Sequence, residues 1–226
     1  MTQQFPDHQF VTAVRQALYA QFVEGKHPEA EGIAQLLRVP KAAVQRAFQQ
    51  LADARVILLR PGSHEVISAP PFYAEPSSYQ VHTGKQSYWA SCIWEALGIP
   101  ATLKRNAFFT ASCPDCKETM NLSIENGECR ADRDSVFHFL VPASHFWENI
   151  FFTCANQLLF ISENHIDRWC REKAYERGYS GSLQTVWQLA QKWYGTRLDS
   201  DFRRFTAEEA QKMFTELGLT GAFWKL

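Results

Sequence analysis

The sequence carries almost no net charge. Its 23 Lys and Arg stand against 24 Asp and Glu, leaving −1 and a pI near 6.7 over 226 residues. No field of one sign is present to draw the chain to nucleic acid or a membrane surface, and neither is an expected partner. No apolar run reaches the ~18 residues of a membrane span. The opening MTQQFPDHQF lacks the charged-then-apolar pattern of a leader, so the expected location is the cytoplasm. G-x-S-x-G, Walker A, G-x-G-x-x-G and H-E-x-x-H are all missing, which leaves nucleotide and pyridine-nucleotide chemistry without support. Repeats and low-complexity tracts are missing as well.

What is present is a large apolar fraction, 46%, and six cysteines: Cys92, Cys113, Cys116, Cys129, Cys154 and Cys170. A chain of this length builds a core without disulfide staples, and there is no export signal. The cysteines are therefore expected to be reduced, with structural, metal-binding or catalytic roles.

Apolar residues Phe10, Val14, Ala17, Leu18 and Phe22 recur at helical spacing in DHQFVTAVRQALYAQFVEG. Two further helical patterns flank Arg38–Pro40, and VILLRPGSHEVIS offers two short strands around the Pro61–Gly62 turn. Three helices and a hairpin form a winged-helix-like layout. The candidate recognition helix PKAAVQRAFQQL carries only Lys41 and Arg46 as cations, too small a basic footprint for a DNA reader. Prolines 70, 71 and 76 give SAPPFYAEPSSY linker composition, which places a boundary near residue 75. The expected organisation is a winged-helix-like domain over 1–75 and an α+β domain over 76–226. In the second, YWASCIWEAL reads as a buried helix ended by Gly98 and Pro100, and NAFFTASC, ETMNLSI, SVFHFLVP and NQLLFIS read as strands. Asn126–Gly127 reads as a hairpin turn. SHFWENIFFT reads as a short helix, and three helices close the chain, the last with a Thr206/Glu209 capping box.

Cys92 and Glu95, three apart, would share one helix face and can point into one pocket. A carboxyl in apolar surroundings favours its neutral form and can then donate a proton. Packing and chemistry are both open for this pair. Cys154, between IFF and LLFIS, is equally open between a structural and a reactive thiol. Cys113-Pro-Asp-Cys116 has the spacing of half a zinc site. Cys129 and His138 could complete it only by folding back, so zinc there is not the expectation. A simple turn or an auxiliary metal-catching dithiol is the other reading. The aromatic tail with Trp187, Trp193, Tyr194, Phe223 and Trp224 reads as helix packing.

Taken together, the winged-helix-like N-terminus, YWASCIWEALGIP, the strand ending in Cys113 and SHFWENIFFTCANQLLFIS resemble the organomercurial (alkylmercury) lyase family over roughly residues 79–170. The family carries Cys-x-x-acid on an aromatic-rich helix, a following stretch that LGIPATL matches, and a second essential cysteine just before a buried strand. The resemblance implies protonolytic cleavage of a carbon–mercury bond by Cys92, Cys154 and an acid, Glu95, standing where the family has aspartate. Mercury, as substrate and product, would sit on Cys92 and Cys154. It also implies a structural role for Cys113, no organic cofactor, and cellular thiols or mercuric reductase as acceptors of Hg(II). Two other functions fit the same residues. One is a soft-metal-responsive winged-helix regulator without enzymatic activity; the other is a lyase of this fold acting on another carbon–metal or carbon–heteroatom bond.

Overall fold

The structure, a computed structural model, describes residues 7–84 and 86–226. The expectation about a leader falls mainly on positions 1–6, outside the described residues. Three helices come first: α1 (Asp7–Val23), α2 (Ala30–Leu37) and α3 (Lys41–Asp53). Arg38 ends α2 in the left-handed region (φ 55°), and Pro40, which has no N–H to leave unpaired, caps the start of α3. Val14, Leu18, Ile33, Val44 and Phe48 bury the inner faces completely. The hairpin β1 (Leu58–Leu59) and β2 (Val66–Ala69) follows, and this part is winged-helix-like.

The remaining elements are β3 (Phe72–Tyr73), β4 (Tyr79–Thr83), β5 (Gln86–Ala90), α4 (Ile93–Leu103), β6 (Ala107–Ser112), β7 (Thr119–Glu125), β8 (Glu128–Ala131), β9 (Val136–Phe139), α5 (Ile150–Ala155), β10 (Gln157–Phe160), α6 (Glu163–Lys173), β11 (Tyr179–Ser182), α7 (Leu183–Tyr194) and α8 (Ala207–Glu216). The fold is α+β. An antiparallel sheet runs in the order β1-β2-β3-β5-β4-β6-β7-β8, and a smaller one in the order β10-β9-β11. The large sheet continues through residue 75, because β3, within the proline-rich segment, joins the wing hairpin to β5. No helix among the described residues is long and apolar enough to cross a membrane.

Strand β6 alternates buried and exposed residues along its whole length, as a sheet with one wet face requires. The β7–β8 turn places Asn126 and Gly127 at φ 52° and 83°, the positive pair a two-residue hairpin turn needs. The Thr206/Glu209 capping box closes reciprocally at the start of α8.

YWASCIWEAL does not form one helix. Tyr88, Trp89 and Ala90 finish β5, Cys92 is still extended (φ −150°, ψ 171°), and the helix starts at Ile93. Nor do Gly98 and Pro100 end it. It runs to Leu103, where Lys104 in the left-handed region (φ 52°) stops it. Every residue from Ile93 to Thr102 is buried, so packing on all sides outweighs the intrinsic cost of Gly and Pro. Gly98 is there for space. A Cβ at that position would lie 2.6 Å from the Tyr194 ring and 2.8 Å from Pro71 Cβ. Gly98→Ala is expected to destabilise the fold by about 1–3 kcal/mol in denaturant titration, as overpacking does. A neutral result would mean α7 has room to retreat.

Candidate active site

The turn from β5 into α4 builds the first half of the site. Cys92 is the N-cap of α4, and its Sγ accepts the Glu95 backbone N–H at 3.5 Å. Glu95 sits in the first helical turn, and its Oε2 reaches back to accept the Ser91 N–H (3.1 Å) and the Ser91 hydroxyl (2.5 Å). One tight turn thus fixes thiol and carboxyl relative to each other. Both are deeply buried, Cys92 1% and Glu95 5% exposed. The Cys92 thiol donates to Gln157 Oε1 at 3.2 Å.

The second half comes from α5 and the start of β10. Asn149 caps α5 by accepting the Phe152 N–H (3.1 Å), Thr153 Oγ1 donates to Phe146 O (3.0 Å), and Asn156 Nδ2 donates to Phe152 O (2.8 Å). These bonds hold a short helix that would be unstable by itself. They leave Cys154, in its last turn, half-buried and beside Cys92, within reach of a side-chain hydrogen bond to it. Cys92, Glu95 and Cys154 line one cavity of about 40 Å³ walled by Trp94, Phe146, Trp147, Ile150 and Trp193. Cys154 also borders an outer hollow of about 320 Å³ between Tyr79, Ser91 and the 53%-exposed Phe151. Cys92 lines the inner cavity and not this hollow, so Cys154 stands between the two.

Burial pushes the Cys92 thiol well above its ordinary value, and Cys154 and Glu95 beside it push the same way. The Glu95 N–H pulls it back, as a helix N-terminus does for a thiolate, but burial wins. Burial also raises Glu95, against the opposing pull of the Ser91 hydrogen bonds and the Arg197 charge. Arg197 is 5% exposed, packs its guanidinium over the Tyr194 and Phe202 rings, and has Nε and Nη1 without a hydrogen-bond partner among the described residues. Two thiols and a carboxyl of raised pKa in one apolar-walled pocket can bind a soft cation and pass a proton between them.

The structure brings three of the sequence-derived candidates, Cys92, Glu95 and Cys154, to one cavity. Cys113 and Cys116 lie elsewhere, in the β6–β7 turn, where His165 of α6 joins them. Cys129 and His138 do not complete that group: Cys129 pairs with Ile124 in the sheet, and His138 Nε2 accepts the Gly178 N–H inside the smaller sheet. The aromatic tail divides. Trp187 and Trp224 are core, whereas Trp193 and Tyr194 line the cavity together with Gln157 and Arg197. Sequence reading missed these four. Gln157 carries a weak signal, a polar residue opening an apolar strand; Arg197 carries none.

A family model described as alkylmercury lyase (MerB) matches residues 72–195. Ten chains among solved structures match the fold. One is a structure described as the mercury-bound form of MerB2, with a TM-score of 0.66 and 19% identity over 83% of this chain and 89% of that one. At that identity the likeness is one of fold. No curated protein matches the sequence.

Proposed function

The chain belongs to the alkylmercury lyase family and is a carbon–mercury lyase, and on that premise we propose that Cys92, Cys154 and Glu95 perform the cleavage in the cavity they share. The observation that carries the assignment is their convergence: two soft ligands and one proton donor line a single apolar-walled cavity of about 40 Å³.

Cys154 faces the outer hollow and takes the organomercurial first: its sulfur replaces the thiolate that carried R–Hg, and that thiolate leaves with the Cys154 proton as a free thiol. The R group lies against Trp94, Phe146, Trp147 and Ile150, a wall suited to small alkyl and aryl groups. Mercury then displaces the Cys92 proton, because a coordinating thiol is deprotonated outright even where burial has raised its pKa. Ionised Glu95 accepts that proton. Two thiolates on one mercury push electron density into the Hg–C bond. The Glu95 proton moves to carbon as that bond breaks, R–H leaves, the two sulfurs keep Hg(II), and Glu95 is again a carboxylate. Burial raises the proton affinity of Glu95 as well as of Cys92, which strengthens Glu95 as the acceptor of the Cys92 proton.

Hg(II) would leave through Cys154, the sulfur open to the outer hollow, to cellular thiols or to mercuric reductase. All six cysteines are free, which fits a reducing compartment such as the cytoplasm. The test is to incubate folded, reduced protein with methylmercury and excess thiol and measure methane. Methane release is expected; its absence would remove the assignment.

A further inference from the structure

A second cluster of soft ligands lies outside the cavity. Cys113 follows β6, Cys116 closes the next turn, and His165 comes from the first turn of α6; one ligand atom from each lies within 4.8 Å of the others. None of the three lines the cavity around Cys92. We propose that Cys113, Cys116 and His165 form a structural site for a zinc-class divalent ion that ties the β6–β7 turn to α6.

Three observations support the site. First, Cys113 Sγ is 3.5 Å from His165 Nδ1. Tetrahedral zinc with Zn–S near 2.3 Å and Zn–N near 2.05 Å separates those two ligands by about 3.5 Å. Second, the turn has the shape of a metal knuckle. Lys117 is in the left-handed region (φ 66°), its N–H closes on Cys113 O (2.9 Å), and the Glu118 N–H is turned onto the Cys116 sulfur. A sulfur that accepts an amide N–H is prepared to be a thiolate ligand. Third, Asp115 Oδ2 is 2.8 Å from the same imidazole nitrogen, and Arg168 Nη2 grips that carboxylate at 2.5 Å. The carboxylate, held in turn by Arg168, fixes the imidazole beside the two sulfurs. Two thiolates and a neutral imidazole compensate a divalent charge.

The sequence hid this site because C-x2-C was present without its partner half. The third ligand is a single histidine 52 positions downstream of Cys113, with no spacing motif to announce it.

The test uses reduced, metal-free full-length chain carrying Cys92→Ser and Cys154→Ser, so that failure here and failure of the lyase assignment remain separate. Cobalt(II) is titrated in and then displaced by zinc. The expected result is one cobalt per chain with tetrahedral d–d bands and thiolate-to-cobalt charge transfer, zinc displacing it and raising Tm. Adding Cys116→Ser or His165→Ala should weaken binding by at least the ~10–100-fold that even outer-shell changes cost, with far-UV circular dichroism unchanged in His165→Ala. Absence of a cobalt spectrum in the starting variant overturns the proposal. So does a spectrum that survives both added substitutions, or binding of mercury(II) with none of cobalt or zinc.

Discussion

Replacing Cys154 with serine is expected to lower kcat/KM for hydrocarbon release by on the order of 10³-fold or more, about 4 kcal/mol of transition-state stabilisation. The hydroxyl is nearly isosteric, so Asn149, Thr153 and Asn156 still hold α5 in place. What is lost is the soft ligand that borders the outer hollow. Cys92→Ser should be equally inactive but chemically different. It keeps Cys154 and so retains R–Hg on the protein, visible by intact mass spectrometry as a one-to-one adduct with the organic group attached. Cys154→Ser should retain far less, because Cys92 is 1% exposed and lines the inner cavity, whereas Cys154 borders the outer hollow as well. Wild-type turnover in Cys154→Ser would end the two-thiol mechanism.

Glu95→Gln is the second large effect. The amide can still accept from Ser91 but has no proton to give, so hydrocarbon release should fall ~10²–10⁴-fold, while Hg(II) binding to the two sulfurs is kept. Glu95→Asp keeps the acid and shortens its arm, and should retain part of the activity that Gln loses. Stability should move the other way. Burial raises the Glu95 carboxyl above its unfolded value, so the native state binds more protons than the unfolded state between the two values. Stability therefore falls as pH rises through that window, and a cost persists above it. Removing the ionisable group removes the cost. Glu95→Gln should be more stable than wild type near pH 8, and the advantage should vanish near pH 4, below the unfolded value of 4.5, in denaturant titrations at the two pH values. An advantage independent of pH would mean that burial of the charge is not its source.

Much of this was legible in the sequence for a physical reason. Local signals survive folding: the 3.6-residue stripe of α1, the Asn126–Gly127 turn and the Thr206/Glu209 capping box each formed as written. Signals set by tertiary packing did not. The helix after Cys92 passes through Gly98 and Pro100 because its surroundings bury it completely, and β3 and β11 are short strands made by their neighbours. The site divides along the same line. Cys92 and Glu95 are three residues apart and could be read together. Gln157, Tyr194 and Arg197 reach the cavity only through the meeting of β10, α7 and the segment after it. His165 joins Cys113 in the same long-range way.

The most direct measurement is a crystal structure of the reduced protein after a single turnover with one equivalent of phenylmercury. The expected result is mercury without its phenyl group, bonded to both Cys92 Sγ and Cys154 Sγ, with the Glu95 carboxyl beside it. Mercury held by Cys154 alone, or only at Cys113 and Cys116, with Cys92 unligated after benzene has been released, would contradict cleavage by the paired thiols.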